Sequence, residues 1–236
     1  SYCHWVAEGK LPELIRDAGE NPFAARMPAT KALPVGAHLS VPIRLRDGQI
    51  YGTFCCFSTK ADKSLNERDL AVMRAFAEVA GQQIQERIDC GRDRSALRSK
   101  VRSIIGRGQI EMVFQPAVRI DRPEVAFVEA LARFPGREPS SPAGWFEAAH
   151  AVGLGTELEL LAIDSALAQI DNLAGATALS INVSPETLLS KSLGERLSAA
   201  PAERLILEVT EHSPIDDYAS VGRALERFRE KGMRLA

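Results

Sequence analysis

Three oxygen-bearing side chains stand near the ends of β-prone runs: Glu129, Asn182 and Glu208. Each follows aliphatic residues, and helix-forming sequence separates the runs. Carboxylate and amide oxygens suit hard divalent cations, and no Cys/His set typical of zinc accompanies them. The pattern therefore predicts a site for Mg²⁺ or Mn²⁺ built from strand ends. The three runs are Val125–Leu131, Ala178–Pro185 and Arg204–Glu211.

Alternation along two of these runs indicates how strands would present the oxygen donors. In the second run, Leu179, Ile181 and Val183 fall on one face and Asn182 on the other, because successive side chains of a strand point in opposite directions. The third run repeats this arrangement with Glu208 opposite its aliphatic residues. Strands separated by helices, with polar groups at their C-terminal ends, are typical of a parallel α/β barrel with its site at that end.

Four short motifs appear in the same order as in the EAL-type cyclic-di-GMP phosphodiesterases, and the chain resembles that family from about Val101 to Ala236. The resemblance implies a TIM-like (β/α)8 barrel. The sequence after Gly106 predicts four strands and the start of a fifth, so we expect a partial barrel, truncated at its C-terminus. The motifs are Phe114-Gln-Pro116, Glu129-Ala-Leu-Ala-Arg133, Ser180-Ile-Asn-Val-Ser-Pro185 and Leu207-Glu-Val-Thr-Glu211.

The resemblance also implies an activity and roles for individual residues. Family members hydrolyse cyclic-di-GMP to the linear dinucleotide pGpG, using two metal ions that activate water and neutralise phosphoryl charge. By this resemblance Glu129, Asn182 and Glu208 are metal ligands, and Glu211 joins Glu129 and Glu208 in the catalytic set by supporting the loop after its strand. The implied substrate-binding residues are Gln115, Leu131 and Arg133, the last through its planar fork to a phosphate.

The family's catalytic set also contains an Asp-Asp pair that bridges the metals, followed by a lysine and a further glutamate. These would come after the strand that begins at Met233, and they are not among the 236 residues. We therefore expect this fragment to be inactive even if its parent is an enzyme. A second interpretation stays open, in which the EAL domain is catalytically inactive and serves as a cyclic-di-GMP receptor or a protein-interaction module.

Residues 1–90 carry a different pattern. Two strands, His38–Leu45 and Gln49–Ser58, are joined through Asp47-Gly48, which is a strong hairpin signal because both residues tolerate positive φ. Asn66 is predicted to cap a following helix. This segment resembles the C-terminal part of a GAF sensory domain, an antiparallel sheet with helices. The resemblance implies an unidentified small-molecule ligand, and we expect the domain to be truncated at its N-terminus.

The predicted organisation is a GAF domain over 1–90, a helical connector over 91–108 and an EAL domain over 109–236. A narrow apolar stripe runs over residues 84–105, and Gly91 weakens the helix midway along it. Two interpretations of the stripe stay open, packing against the chain's own domains and a parallel coiled coil between two copies. A homodimer is expected among the partners.

Composition is that of a globular protein, with 45% hydrophobic residues, 25% charged residues and a net charge of −2. The near-neutral balance gives no footprint for a nucleic-acid polymer, and no apolar run approaches the length of a membrane span. We expect a cytoplasmic protein with reduced cysteines, one of the adjacent Cys55 and Cys56 being buried. His38, His150 and His212 are expected to bind no metal.

Overall fold

A computed structural model describes residues 1–135, 139, 141–210 and 217–236. Glu211 and His212 lie outside these ranges, so the role expected for Glu211 stays a prediction. The described chain divides into two compact units, Ser1–Asp93 and Arg94–Ala236. Among the helices in the described ranges, none is long and apolar enough to cross a membrane.

The N-terminal unit contains a three-stranded antiparallel sheet in the order β1-β2-β3. The predicted hairpin is present, and Gly48 adopts a φ of +82° at its turn, a conformation open to glycine because it lacks a Cβ. The elements of this unit are α1 (Tyr2–Ala7), β1 (Leu14–Ile15), a 3₁₀ turn (Ala24–Arg26), α2 (Pro28–Ala32), β2 (Ala37–Arg44), β3 (Ile50–Ser58) and the first part of α3 (Glu67–Arg107).

Strand β2 is the middle strand of this sheet, and almost all of its residues are buried. Its odd-numbered aliphatic side chains pack with Leu70 and Ala77 of α3. Its even-numbered side chains, His38 and Ser40, are also buried, on the face that α1 covers. The prediction that either Cys55 or Cys56 would be buried is wrong, since both are exposed on β3, an edge strand of the sheet.

Helix α3 is continuous from Glu67 to Arg107. At its start, Asp69 Oδ2 accepts from the backbone N–H of Asn66 at 2.9 Å, while Asn66 Oδ1 accepts from the N–H of Arg68, which is a reciprocal cap. The helix runs through Gly91, where the sequence predicts a weak point. A single exposed glycine destabilises a helix by only about 1 kcal/mol relative to alanine, so the helix tolerates Gly91.

The connector stripe has partners within the C-terminal unit. Val101 and Ile104 are buried in a cluster with Trp145, Ala149 and Leu158. For these two positions the structure therefore has the stripe packed against its own domain. This packing fixes the end of α3 that leads into the first strand of the second sheet.

The C-terminal unit is built on a five-stranded mixed sheet in the order β4-β5-β6-β7-β8. Strands β4 and β5 are an antiparallel hairpin, and β5 to β8 are parallel, with helices between them. The elements after α3 are β4 (Glu111–Val118), β5 (Val125–Arg133), α4 (Pro142–Ala151), α5 (Gly155–Leu167), a 3₁₀ turn (Ile170–Asn172), β6 (Ala178–Val183), α6 (Pro185–Leu189), α7 (Lys191–Leu197), a 3₁₀ turn (Ala202–Arg204), β7 (Leu205–Val209), α8 (Tyr218–Glu230) and β8 (Arg234–Leu235).

One face of this sheet forms the main core of the unit. The alternating aliphatic side chains of β6 and β7 are fully buried against residues of α5 and α8, including Ile163 and Phe228. Burying a leucine or isoleucine side chain contributes roughly 1.5–3 kcal/mol, so this face sets the register of both strands. The opposite face is left for the polar side chains. The buried strand residues are Leu179, Ile181, Val183, Leu205 and Leu207.

Candidate functional site

The polar face of the C-terminal sheet carries its side chains in rows, because hydrogen-bonded register aligns residues across strands. One row runs through all five strands. Gln115 of β4 lies opposite Glu129 of β5, which is paired with Ser180 of β6, and this row continues through Ile206 and Arg234. Two of the residues with predicted roles, Gln115 and Glu129, are therefore direct cross-strand neighbours.

The next row toward the C-terminal ends of the parallel strands holds the other two predicted metal ligands. Asn182 of β6 is paired with Glu208 of β7. The Asn182 side chain leans back toward β5, where its Nδ2 donates to Glu129 Oε1 at 2.9 Å. Ser180 Oγ donates to Glu208 Oε2 at 3.2 Å. The two carboxylates and the amide thus share one face of three neighbouring strands.

This arrangement has the chemistry of a divalent-cation site. Glu129 and Glu208 are half-buried, and Asn182 is exposed. The amide of Asn182 meets Glu129 through its nitrogen, and a half-turn of the same side chain presents Oδ1 at that point instead. Two carboxylates and an amide oxygen form the hard donor set that Mg²⁺ or Mn²⁺ prefers. The residues present therefore fit such an ion.

The predicted substrate-binding residues lie beside this cluster. Gln115 is exposed on β4, Leu131 is half-buried, and Arg133 is exposed at the end of β5. Arg133 Nη1 donates to the carbonyl oxygen of Ala132 at 2.9 Å. A cavity of about 570 Å³ in this unit is lined by Leu131, Arg133 and Asn182, but not by Gln115, Glu129 or Glu208.

The same cavity contacts a hydrogen-bonded network that no sequence motif predicts. The carboxylate of Glu159, on α5, is almost entirely buried. One of its oxygens lies 3.0 Å from His150 Nε2, and the other accepts from the backbone N–H of Ser184 at 2.9 Å. Ser184 caps the N-terminus of α6. The network therefore ties α4 and α5 to the residues directly after Asn182.

A close backbone approach makes this network possible. A Cβ placed on Gly155 would lie 2.3 Å from His150 Nδ1, so only glycine leaves room for the imidazole ring. One sequence feature could have indicated this network. Glu159 is a charged residue directly between two leucines of α5, both of which are buried. A buried carboxylate needs hydrogen-bond partners, and here the ring of His150 and a helix N-terminus supply them.

Comparison with known proteins identifies both units. The EAL domain profile matches residues 97–236, and the GAF domain profile matches residues 1–84. Because the EAL match covers more than half of the chain, this chain belongs to the EAL domain family. A GAF domain precedes the EAL domain, in the predicted order.

A curated relative is the uncharacterized protein y4lL of Sinorhizobium fredii, which is 26% identical over 194 residues. That alignment covers 76% of this chain and 24% of the relative. The chain therefore spans about a quarter of that relative's length.

Two solved structures share the fold. The EAL enzyme Bd1971, in a cAMP- and cyclic-di-GMP-bound form, has a TM-score of 0.54 and 16% identity, covering 79% of this chain and 56% of that one. The FimX EAL domain of Xanthomonas citri, in complex with c-diGMP, has a TM-score of 0.53 and 18% identity, covering 63% of this chain and 62% of that one. These likenesses confirm the predicted fold class, an antiparallel GAF-type sheet followed by a TIM-like EAL domain.

Proposed function

We propose that the full-length protein hydrolyses cyclic-di-GMP to pGpG at the polar face of β5, β6 and β7, under the control of its GAF sensor. Membership of the EAL family supports the proposal, as do relatives of the same fold that were solved with cyclic-di-GMP. The observation that carries it is the contact between Glu129 and Asn182, which sets a carboxylate and an amide beside Glu208.

Each residue of the cluster has a proposed task. Glu129, Asn182 and Glu208 would hold Mg²⁺ or Mn²⁺, with Glu211 supporting the loop after β7. When bound, such ions polarise the phosphoryl group and lower the pKa of water. The buried contact between Glu159 and the backbone of Ser184 holds the end of β6, and so keeps Asn182 in place.

The residues beside the cluster are proposed to orient the substrate. Arg133 would present its guanidinium fork to a phosphate of cyclic-di-GMP, and Gln115 would donate or accept hydrogen bonds next to Glu129. Leu131 lies two residues after Glu129 on the same strand face and would pack against the dinucleotide there. A bidentate arginine orients a phosphate as well as binding it, which places the reacting phosphorus relative to the two carboxylates.

Regulation is proposed to pass along α3, which continues from the GAF unit into the EAL unit. A proline within this helix removes a backbone hydrogen bond and breaks it. We therefore expect Arg94→Pro to change the rate of cyclic-di-GMP hydrolysis in the full-length protein. An equal rate in the variant and the wild type would argue against control through this helix.

A homodimer paired along α3 is also proposed. Val72, Phe76 and Val79 are about half exposed, and their spacing of four and three residues puts them on one helix face. Pairing of two copies would bury this face. Phe76→Arg should lower the mass seen by sedimentation to that of one chain, and an unchanged mass would contradict the pairing.

The proposed location is the cytoplasm. Cyclic-di-GMP, the proposed substrate, is an intracellular messenger.

The test of the proposed activity is turnover of cyclic-di-GMP by the full-length protein with Mg²⁺ or Mn²⁺, followed by chromatography of pGpG. Glu129→Gln keeps the size of the side chain but removes its charge. We expect it to lower turnover by about 100-fold or more, as loss of one charge-stabilising group in an active site does. Glu124→Gln is the matched control, because Glu124 lies in the β4–β5 turn and pairs with Arg122.

The outcomes separate the two interpretations of the domain. Metal-dependent pGpG formation that Glu129→Gln abolishes and Glu124→Gln retains supports the enzyme. Binding of cyclic-di-GMP without turnover supports the receptor instead. A protein that neither hydrolyses nor binds cyclic-di-GMP would contradict both the enzyme and the receptor, and a protein-interaction role would remain.

A further inference from the structure

The N-terminal unit contains a cluster of two thiols and an imidazole that the proposed activity does not use. One ligand atom of Cys3, one of His38 and one of Cys55 all lie within 4.8 Å of one another. The two sulfur atoms are 3.2 Å apart. We propose that Cys3, His38 and Cys55 form a binding site for a thiophilic transition-metal ion, with Zn²⁺ as its occupant.

Three elements bring these residues together. His38 and Ser40 lie on the same face of β2, and Ser40 is the register partner of Cys55 on β3. Helix α1 lies over this face, since the ring of Tyr2 is 4.7 Å from the ring of His38 and the next residue is Cys3. The three ligands therefore come from a helix and two paired strands, which restrict their movement.

The surroundings of His38 point to a ligand. The side chain is buried, with 4% of its surface exposed, and its Nδ1 has no hydrogen-bond partner in the part of the chain that the structure describes. Ser40 Oγ, also buried on this face, lies near the Cys3 thiol but makes no hydrogen bond of ordinary geometry there. Buried polar atoms are nearly always satisfied, so two orphans beside two thiols call for an explanation. A bound cation would accept the imidazole lone pair and leave Ser40 Oγ to contact its fourth ligand.

Burial keeps the imidazole in the form that binds metals. It lowers the pKa of His38 from 6.5 to about 4, so the ring is neutral near pH 7. Metal ions bind neutral imidazole and compete only weakly for imidazolium. The ring needs no prior deprotonation at neutral pH, in contrast to the thiols.

The thiols supply the charge that a dication requires. Burial and the neighbouring Cys3 raise the pKa of Cys55 to about 11. Burial alone would raise the pKa of Cys3 as well, but its neighbours Thr53, Cys55 and Ser40 favour the thiolate and leave that pKa below its ordinary value. Cys3 is thus the more acidic of the two thiols. A bound metal ion would favour loss of both thiol protons, and the two thiolates would then balance the charge of the ion.

Sulfur and nitrogen donors decide which ion fits. Two thiolates and an imidazole suit Zn²⁺, whereas Mg²⁺ and Mn²⁺ prefer oxygen. The chain would therefore sort metals by donor type, with oxygen donors on the EAL sheet and sulfur donors in the GAF unit. A disulfide between Cys3 and Cys55 is the competing explanation of their proximity. It would leave Nδ1 of His38 and Oγ of Ser40 without partners, so the metal site accounts for more of the structure.

The experiment is Co²⁺ titration of the full-length protein after reduction and removal of metals by a chelator. Tetrahedral Co²⁺ with thiolate ligands gives an intense visible band and a sulfur-to-metal charge-transfer band, which Co²⁺ on oxygen donors does not. We expect both bands at one ion per chain, and their loss on adding one equivalent of Zn²⁺. This readout is independent of cyclic-di-GMP turnover.

Matched variants separate ligands from bystanders. Loss of even an outer-shell partner weakens metal binding by about 10–100-fold, so Cys55→Ser should weaken it by at least about 100-fold. Cys56→Ser, the same change at the adjacent exposed residue on the opposite strand face, should leave affinity unchanged. His38→Gln should also lose the charge-transfer intensity. Cys3→Ser removes the ligand that α1 supplies and changes no residue of β2 or β3.

Three results would overturn the proposal. The first is absence of the charge-transfer band in the reduced wild-type protein. The second is equal affinity in Cys55→Ser and Cys56→Ser, with the circular dichroism of both variants unchanged. The third is a Cys3–Cys55 disulfide, identified by mass spectrometry, in protein that binds no metal after reduction.

Discussion

Asn182 Nδ2 donates to Glu129 Oε1 at 2.9 Å, joining two parallel strands through residues 53 positions apart in the sequence. The contact pairs a neutral amide with a carboxylate at the proposed cation site. Glu208, the register partner of Asn182, adds a second carboxylate to the same face. In the absence of an ion, this hydrogen bond from the amide nitrogen holds Glu129 in position. When an ion is bound, the amide would turn and present its oxygen to the ion instead.

Asn182→Asp should make the stability of the EAL unit depend on divalent metal. The substitution sets a second negative charge against Glu129, which costs about 1–4 kcal/mol in the metal-free protein, depending on screening. A bound ion relieves this repulsion, and ligand at 100 times its dissociation constant stabilises the folded state by about 2.7 kcal/mol. Thermal unfolding with and without Mn²⁺ measures both effects.

The matched control is Asn172→Asp, which makes the same change in an exposed turn that precedes β6. Its melting temperature should respond to Mn²⁺ as the wild type does. An Asn182→Asp protein that is as stable as wild type without metal, and gains nothing more from Mn²⁺, would show that the two side chains do not share a cation site.

Gly155→Ala should disturb the site without touching a proposed metal ligand. The new Cβ would lie 2.3 Å from His150 Nδ1, so the ring must move away from Glu159. A buried carboxylate that loses one partner is destabilised by about 1–3 kcal/mol. We expect lower stability in chemical denaturation and slower cyclic-di-GMP turnover, through the link from Glu159 to Ser184.

Gly222→Ala provides the control for that substitution. Gly222 lies within α8 and has open space at its Cβ position. Alanine there should stabilise the helix by up to about 1 kcal/mol and leave turnover unchanged. If both alanine substitutions changed stability and turnover equally, the His150 ring would be able to move aside without loss, and the network would not be tightly packed.

Acid should weaken the metal-free GAF unit through His38. Because the folded pKa is about 4 and the ordinary value is 6.5, the unfolded chain binds a proton more readily. This contribution to stability is complete above pH 6.5 and is lost as the pH falls toward 4, amounting to at most about 3 kcal/mol. Chemical denaturation across this pH interval, with a chelator present, measures the slope.

His38→Gln should flatten that part of the stability curve, whereas His4→Gln should not. His4 is the matched control because its side chain is 59% exposed and lies on the same short helix as Cys3. Cys3 and Cys55 face His38 from α1 and β3. Burial and the neighbouring Cys3 raise the pKa of Cys55 to about 11, so the Cys55 thiol adds no slope over this acidic interval. A slope that persists in His38→Gln would assign the acid sensitivity to other groups.

The elements that the sequence predicted well are those with strong local patterns. The alternating run that begins at Ala178 predicts a strand, and β6 occupies Ala178–Val183. Asp47-Gly48 predicts a hairpin, and β2 and β3 flank that turn. Alternation and turn residues are local signals that need no help from distant residues. The connector helix is continuous where the sequence predicts a weak point at Gly91. A single glycine is a weak local signal, and packing elsewhere along α3 outweighs it.

Contacts that depend on tertiary packing could not be read from the sequence. The strand ends predicted that Glu129, Asn182 and Glu208 would share an interior, and they lie on neighbouring strands of one face. Which side chains touch is set by register and rotamer, as in the diagonal contact to Glu129. The pairing of His150 with Glu159 depends on how α4 packs on α5, and no local pattern encodes it.

The cysteine and histidine cluster was missed for the same reason. Cys3 and Cys55 are 52 residues apart, and the sequence around His38 predicts a histidine that binds no metal. Only the β2–β3 register, together with the placement of α1, brings the three side chains to one point. His38 and Ser40 are two polar residues on one face of β2, and they indicate a site only because that face is buried. The burial of both faces of β2 is not evident from the sequence.

The central claim is that Glu129, Asn182 and Glu208 hold the metal on which cyclic-di-GMP hydrolysis depends. The most direct test is the rate of pGpG formation by the full-length protein as a function of Mn²⁺ concentration, for wild type, Asn182→Ala and Glu124→Gln. We expect Asn182→Ala to raise the half-saturating Mn²⁺ concentration by about 10-fold or more, and Glu124→Gln to match wild type. An Asn182→Ala enzyme that is half-saturated at the wild-type Mn²⁺ concentration would contradict the claim.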